Sequence, residues 1–255
     1  MKAVQYEGTI WSLQYKEYEP SLLQLLSSRD LLVVLKHSTP PYRVIIGVPH
    51  QAKIGQGHIC ENGSGVEKNR FSDENAASYA LVAFSLLKDH DIACKLVVAA
   101  HPTTKAPNKH VDSSYCQELF RDPGLLLLEC HGAGPSRKND IEITAGSNHS
   151  TDPVALGRLL SLQLGRHYVV GLQKEPGNSA ALIIKKDGSE EGGNLELPAT
   201  ETKSLTEAAK HNMQALHIEA KSRFRIPQDK SNKVSPDGFI LGRALAEFIR
   251  AQPVK

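Results

Sequence analysis

The chain reads as a single α/β domain over residues 1–255, a three-layer α/β/α arrangement on a mostly parallel or mixed central sheet. Two observations lead there. Short apolar runs rich in branched side chains alternate with segments of helical period, and the runs end in histidine, proline or glycine where a strand would pass into a loop. A third observation concerns function. Such folds gather ligands beyond the carboxyl ends of their strands, and the histidines fall there.

The first clear strand is Tyr42 to Val48, closed by Pro49 and followed by His50. A polar loop from Gln51 to Arg70 leads to Ser72-Asp-Glu-Asn, where Ser72 or Asp73 would cap a helix running through Ala76, Ala80, Phe84 and Leu87. Cys94 to Ala100 is the next strand, and a polar loop with Pro107-Asn-Lys109 separates it from a short helix over Ser114 to Phe120. Leu125 to Glu129 is a central strand ending at Cys130-His131-Gly, and Ile141 to Thr144 alternates as a further strand. A helix is expected from Pro153 to Gly165, and strands over His167 to Leu172 and Ala180 to Ile184. The polar stretch Lys185 to Lys203 reads as a surface excursion, Leu205 to Asn212 as a helix, and Pro236 to Gln252 as a closing amphipathic helix. Between those helices lies Met213 to Arg225, a strand interrupted by Glu219. A carboxylate beside Leu216 and Ile218 costs several kcal/mol (~2–7 for an uncompensated polar group) unless a partner or a proton offsets it.

Composition narrows the function classes. The apolar share of 40% and the charged share of 23% are those of an ordinary globular protein, and a net charge of +2 on scattered basic residues gives no footprint for nucleic acid. The apolar runs have strand length, so no membrane partner is expected, and nothing near Met1 resembles a secretory leader. Cys60, Cys94, Cys116 and Cys130 show no C-x-x-C spacing and read as reduced thiols of a cytoplasmic protein.

Four segments together resemble the zinc-dependent N-formylglutamate amidohydrolases, relatives of the zinc carboxypeptidases: Val48-Pro-His50, Pro107-Asn-Lys109, Leu128-Glu-Cys-His131-Gly and Ala215-Leu-His-Ile-Glu219. The resemblance implies zinc held by His50, His131 and an acidic residue, Asp73 or Glu74, with Glu219 as general base. Asn108, Lys109 and Arg223 or Arg225 would bind a small carboxylate-bearing substrate. Imidazoles plus one carboxylate suit zinc while leaving a position open to water. The chain departs from the family in two places. Ala106-Pro-Asn-Lys109 stands where the family has Asp-Leu-Asn-Arg, and Lys53 stands three residues after His50 where a carboxypeptidase has its glutamate. Each residue also has a plainer role open to it. A histidine ending a strand can be structural, Asp73 and Glu74 can be helix-start charges, Asn108 a turn residue, and Glu219 a partner of Lys221 or Arg223. Competing functions are a peptidase or cell-wall amidase on a larger substrate, and a non-catalytic metal-binding protein on a hydrolase fold.

Overall fold

The computed structural model describes residues 31–52, 58–61, 67–70, 73–100, 107–164, 167–229 and 234–252. Its centre is a mixed sheet of ten strands. In chain order the sheet strands are β1 (Leu31–His37), β2 (Tyr42–Ala52), β5 (Asp73–Glu74), β6 (Cys94–Ala100), β7 (Gly124–Ala133), β8 (Ile141–Thr144), β9 (Val170–Gln173), β10 (Ala180–Ile184), β11 (Glu190–Asn194) and β12 (Gln214–Lys221). A separate hairpin pairs β3 (His58–Glu61) with β4 (Glu67–Arg70), inside the stretch expected to be loop. Spatially the order is β1-β6-β2-β7-β12-β8-β9-β10-β11, with β5 beside the end of β2. The four strands β6, β2, β7 and β12 run parallel and form the middle of the sheet. Antiparallel neighbours flank them on both sides.

Period-two alternation splits these strands between two cores. Val44, Ile46, Val48, Leu126, Leu128, Cys130, Leu216, Ile218 and Ile143 face helices α1 (Ala77–Asp89), α3 (Pro153–Leu164) and α5 (Pro236–Ala251) in one continuous apolar layer. Ile45, Leu127 and Ala215 face the other way, under α2 (Ser114–Arg121) and α4 (Lys203–Lys210). On this second face the apolar residues give way to polar ones toward the carboxyl ends of β7 and β12. Leu127 is followed by Glu129 and His131, and Ala215 by His217 and Glu219. The fold thus supplies a floor for a polar site on one face while the other stays dry.

Two local features aim the site. Pro49 has no N–H to give the ladder, and the β2–β6 register slips between Val48 and Gln51, so three residues of β2 span what two span on β6. Without that bulge His50 would share the apolar face of Ile46 and Val48. With it, His50 lines a cavity on the opposite face. The second feature corrects the expected helix start. Asp73 and Glu74 form β5 rather than a cap, and α1 begins at Ala77, whose amide donates to Gln51 Oε1 at 2.7 Å. A side chain from another strand does the capping, which no local pattern could announce. Ser72, the other expected cap, lies outside the described residues.

Candidate metal centre and hydrolytic site

The parallel register between β7 and β12 sets Glu129 opposite His217 and His131 opposite Glu219. Four ionisable side chains therefore stand as a two-by-two block on one face, all of them buried. Across the block the rings of His131 and His217 stack with centroids 4.0 Å apart. Beyond β12, Glu142 on β8 continues the row beside Glu219, but its carboxylate is consumed locally by Asn139 Nδ2 and the amides of Glu196 and Leu197.

Glu129 is the anchor. Its Oε1 accepts from Tyr115 Oη at 3.0 Å and Ser204 Oγ at 2.7 Å. Its Oε2 lies 3.2 Å from Asn108 Nδ2, 3.3 Å from His131 Nε2 and 3.4 Å from His217 Nδ1. The local sequence makes room for this. A Cβ on Gly47, which pairs with Glu129 across β2 and β7, would sit 2.2 Å from the Tyr115 hydroxyl. Burial alone would raise the Glu129 pKa, yet hydrogen bonds and charge from His131 and His217 hold it well below the ordinary carboxylate range.

His131 stands between two carboxylates. Its Nε2 faces Glu129 and its Nδ1 lies 3.0 Å from Asp73 Oδ2. Burial favours the neutral ring, but Asp73 and Glu129 outweigh it and push the His131 pKa up to about 10. Asp73 in turn is held below its ordinary value: burial opposes this, and the hydrogen bond to His131, the charge of His131 and then His50 and Arg225 overcome it. His50 closes the group, its ring centroid 5.3 Å from that of His131.

His50, Asp73, Asn108, Lys109, His131, His217 and Glu219 all line one cavity of about 740 Å³. Its mouth carries Lys109, paired with the exposed Glu201 at 3.1 Å, and Arg137, 3.6 Å from Glu196. Two residues expected at the site stand elsewhere. Glu74 does not line the cavity, and its carbonyl receives the guanidinium of Arg225. Arg223 is carried away by the 3-10 turn Ser222–Phe224; its Nε donates to Asp237 Oδ2 at 2.8 Å and its plane lies over Tyr168. Lys221 is drawn to Asp140 at 3.3 Å, so Glu219 takes neither of the cationic partners that its own strand and the following turn offered. Its partner is His217, with Nε2 at 2.9 Å from Glu219 Oε1.

Two overlapping donor groups are present. Glu129, His131 and His217 place one ligand atom each within 4.8 Å of one another. His50 and Asp73 line the cavity together with His131, whose Nδ1 lies against Asp73 Oδ2. Oxygen and imidazole nitrogen donors of this kind suit a divalent transition ion such as zinc. Glu129 is fully buried with both oxygens already engaged, so an ion on it would displace donors that it now holds. Three carboxylates meet three imidazoles in this small volume, and a dication at the cavity face would replace the proton that His131 otherwise carries.

Glu129, His217, Tyr115, Ser204 and Arg137 are not among the site residues that the sequence points to. The signal for the first two was present: E-x-H in one strand and H-x-E in another each put two ionisable side chains on a single face.

No family model matches the sequence, and no curated protein matches it either. Among solved structures the chain is similar to a bacteriophage poly-gamma-glutamate hydrolase, with 12% identity over 85% of this chain and 87% of that one and a TM-score of 0.49. It is similar also to an N-formylglutamate amidohydrolase from Ralstonia eutropha JMP134, with 10% identity over 86% and 95% of the two chains and a TM-score of 0.47. A metallo-carboxypeptidase from Pseudomonas aeruginosa follows at 11% identity over 85% and 58%, with a TM-score of 0.43.

Proposed function

We propose that the chain is a metal-dependent hydrolase of C–N bonds that cleaves an N-acyl or amide bond in a small carboxylate-bearing substrate. The observation that carries this reading is the convergence of His50, Asp73, His131 and Glu219 on one cavity of a size suited to a small molecule. His50, Asp73 Oδ2 and His131 Nδ1 would hold the ion, with zinc the natural occupant of that donor set. The ion when bound supplies Lewis-acid polarisation of water and of the scissile carbonyl. Glu219 takes the proton of the attacking water and returns it to the leaving nitrogen. Glu129 fixes the plane of the His131 ring through Nε2. Lys109 and Arg137 bind the substrate carboxylate at the mouth. Their present partners, Glu201 and Glu196, give way because exposed ion pairs hold weakly.

A second reading, hydrolysis of a longer substrate, draws on a further cavity of about 820 Å³ over Val169, Ile183 and Leu195. Glu196 lines both cavities, so an elongated chain has somewhere to continue. The test is metal content of the wild type and of His131→Ala, together with turnover of formyl-, acetyl- and succinyl-amino acids beside short peptides. Stoichiometric metal lost in the variant and hydrolysis of the acyl-amino acids is the expected result. Equal, near-zero metal in both proteins would overturn the proposal, and metal without turnover of any amide would leave a binding protein on this fold.

A further inference from the structure

His217 is absorbed by neither the proposed ligand set nor the substrate contacts, yet its ring meets a partner on three sides. One face stacks on His131 at 4.0 Å, Nδ1 faces Glu129 Oε2 at 3.4 Å, and Nε2 lies 2.9 Å from Glu219 Oε1. We propose that His217 is a positioning residue for Glu219, donating its Nε2–H to Oε1 so that the other carboxylate oxygen is presented to the substrate cavity. The inference rests on the reading of Glu219 as general base.

Proton bookkeeping favours this orientation. The contact at 2.9 Å requires one proton between Nε2 and Oε1. Glu129 Oε2 already has Asn108 Nδ2 and, with Nδ1 of His131 turned to Asp73, the Nε2–H of His131 as donors. The His217 proton is therefore better placed on Nε2, in the shorter contact. The ring is held by burial and by its stack on His131, and Glu129, fixed at its far oxygen by Tyr115 and Ser204, lies against its Nδ1 edge. One hydrogen bond, from His217 Nε2–H to Glu219 Oε1, passes from that ring to the proposed base. A carboxylate at the end of a flexible side chain is held in one pose, and a loss of that pose by about 1 Å is worth roughly 10²-fold in rate.

The experiment compares His217→Leu and His217→Gln with the wild type, by metal content, by kcat and KM on an N-acyl amino acid, and by ¹⁵N resonances of the histidine rings. His217→Leu is expected to keep its metal and its KM within about threefold while kcat falls about 10- to 100-fold. His217→Gln, which restores an N–H donor, recovers most of that loss. In the otherwise unaltered chain His217 should show the Nε2–H tautomer, and Glu219→Ala should shift that nitrogen more than any other histidine's. Loss of metal in His217→Leu would make His217 a ligand with Glu129 and His131 and overturn the proposal. So would an Nδ1–H tautomer, or unchanged kcat in His217→Leu. An inactive wild type instead overturns the hydrolase reading itself, and this inference with it.

Discussion

Glu129→Gln isolates the anchor of the site without changing its shape. The amide can keep its oxygen toward Asn108, His131 and His217 and turn its NH₂ toward Tyr115 and Ser204, whose hydroxyls rotate to accept. What is lost is the charge. A hydrogen bond to a charged group contributes about 1.5–3 kcal/mol, and opening a buried ion pair costs about 3–5 kcal/mol, so a retained-shape variant should lose about 3 kcal/mol. For a chain of this size that is a Tm lower by about 6–12 °C in metal-free protein, read by thermal unfolding. The control is Glu190→Gln, which breaks the exposed Arg158 pair at 2.9 Å and should cost under about 1 kcal/mol. The pH dependence has a definite sign. Glu129 titrates below its ordinary value of 4.5, so its contribution is complete above pH 4.5 and is lost as the pH falls through the folded value. His131 is raised from 6.5 to about 10, so its contribution is complete below pH 6.5 and is lost as the pH rises through 10. The wild-type advantage over Glu129→Gln should therefore narrow at both ends. A Tm change no larger than that of Glu190→Gln would refute the assignment of Glu129 as a buried charged anchor.

Metal affinity should rise about tenfold per pH unit between pH 7 and 9, with about one proton released per ion, because a ring whose pKa is about 10 must give up its proton to bind; calorimetry in buffers of different ionisation enthalpy reads both, and a flat profile would contradict the placement of His131 in the ligand set. Gly47→Ala should cost about 1–3 kcal/mol by driving a methyl into the Tyr115 hydroxyl, and Tyr115→Phe in the same background should recover part of it; equal losses with and without the hydroxyl would show that the clash lies elsewhere. Glu219→Gln should keep its metal while turnover falls by roughly 10² to 10⁴, whereas His50→Ala should lose both; near-normal turnover in Glu219→Gln would return that residue to a structural pairing with His217.

Much of the sheet was legible because buried parallel strands advertise themselves. Val44 to Val48 and Leu126 to Leu128 have to be covered on both faces, and the structure covers them with α1, α3 and α5 on one side and α2 and α4 on the other. What could not be read depends on pairing across distance. His50 faces the cavity only because β2 bulges against β6, and Glu129 meets His217 only because strands 88 residues apart share a register. Asp73 looked like a helix cap because the true cap, Gln51, belongs to another strand. Arg223 looked like a ligand-binding cation because it follows Glu219 closely, and a single 3-10 turn sends it to Asp237 instead. His50, Asp73, His131 and Glu219 meet at one cavity, while Glu74 and Arg223 stand away from it.

The central claim is that a metal ion belongs to the cavity face of His131 and not to its buried side. Anomalous scattering at the zinc edge from crystals of the zinc-loaded protein tests it directly. The predicted peak lies about 2.0–2.2 Å from a ring nitrogen of His50, Asp73 Oδ2 and His131 Nδ1, with Glu129 still hydrogen-bonded to His131 Nε2. A peak between Glu129, His131 Nε2 and His217, or no peak in protein soaked with zinc, would contradict it.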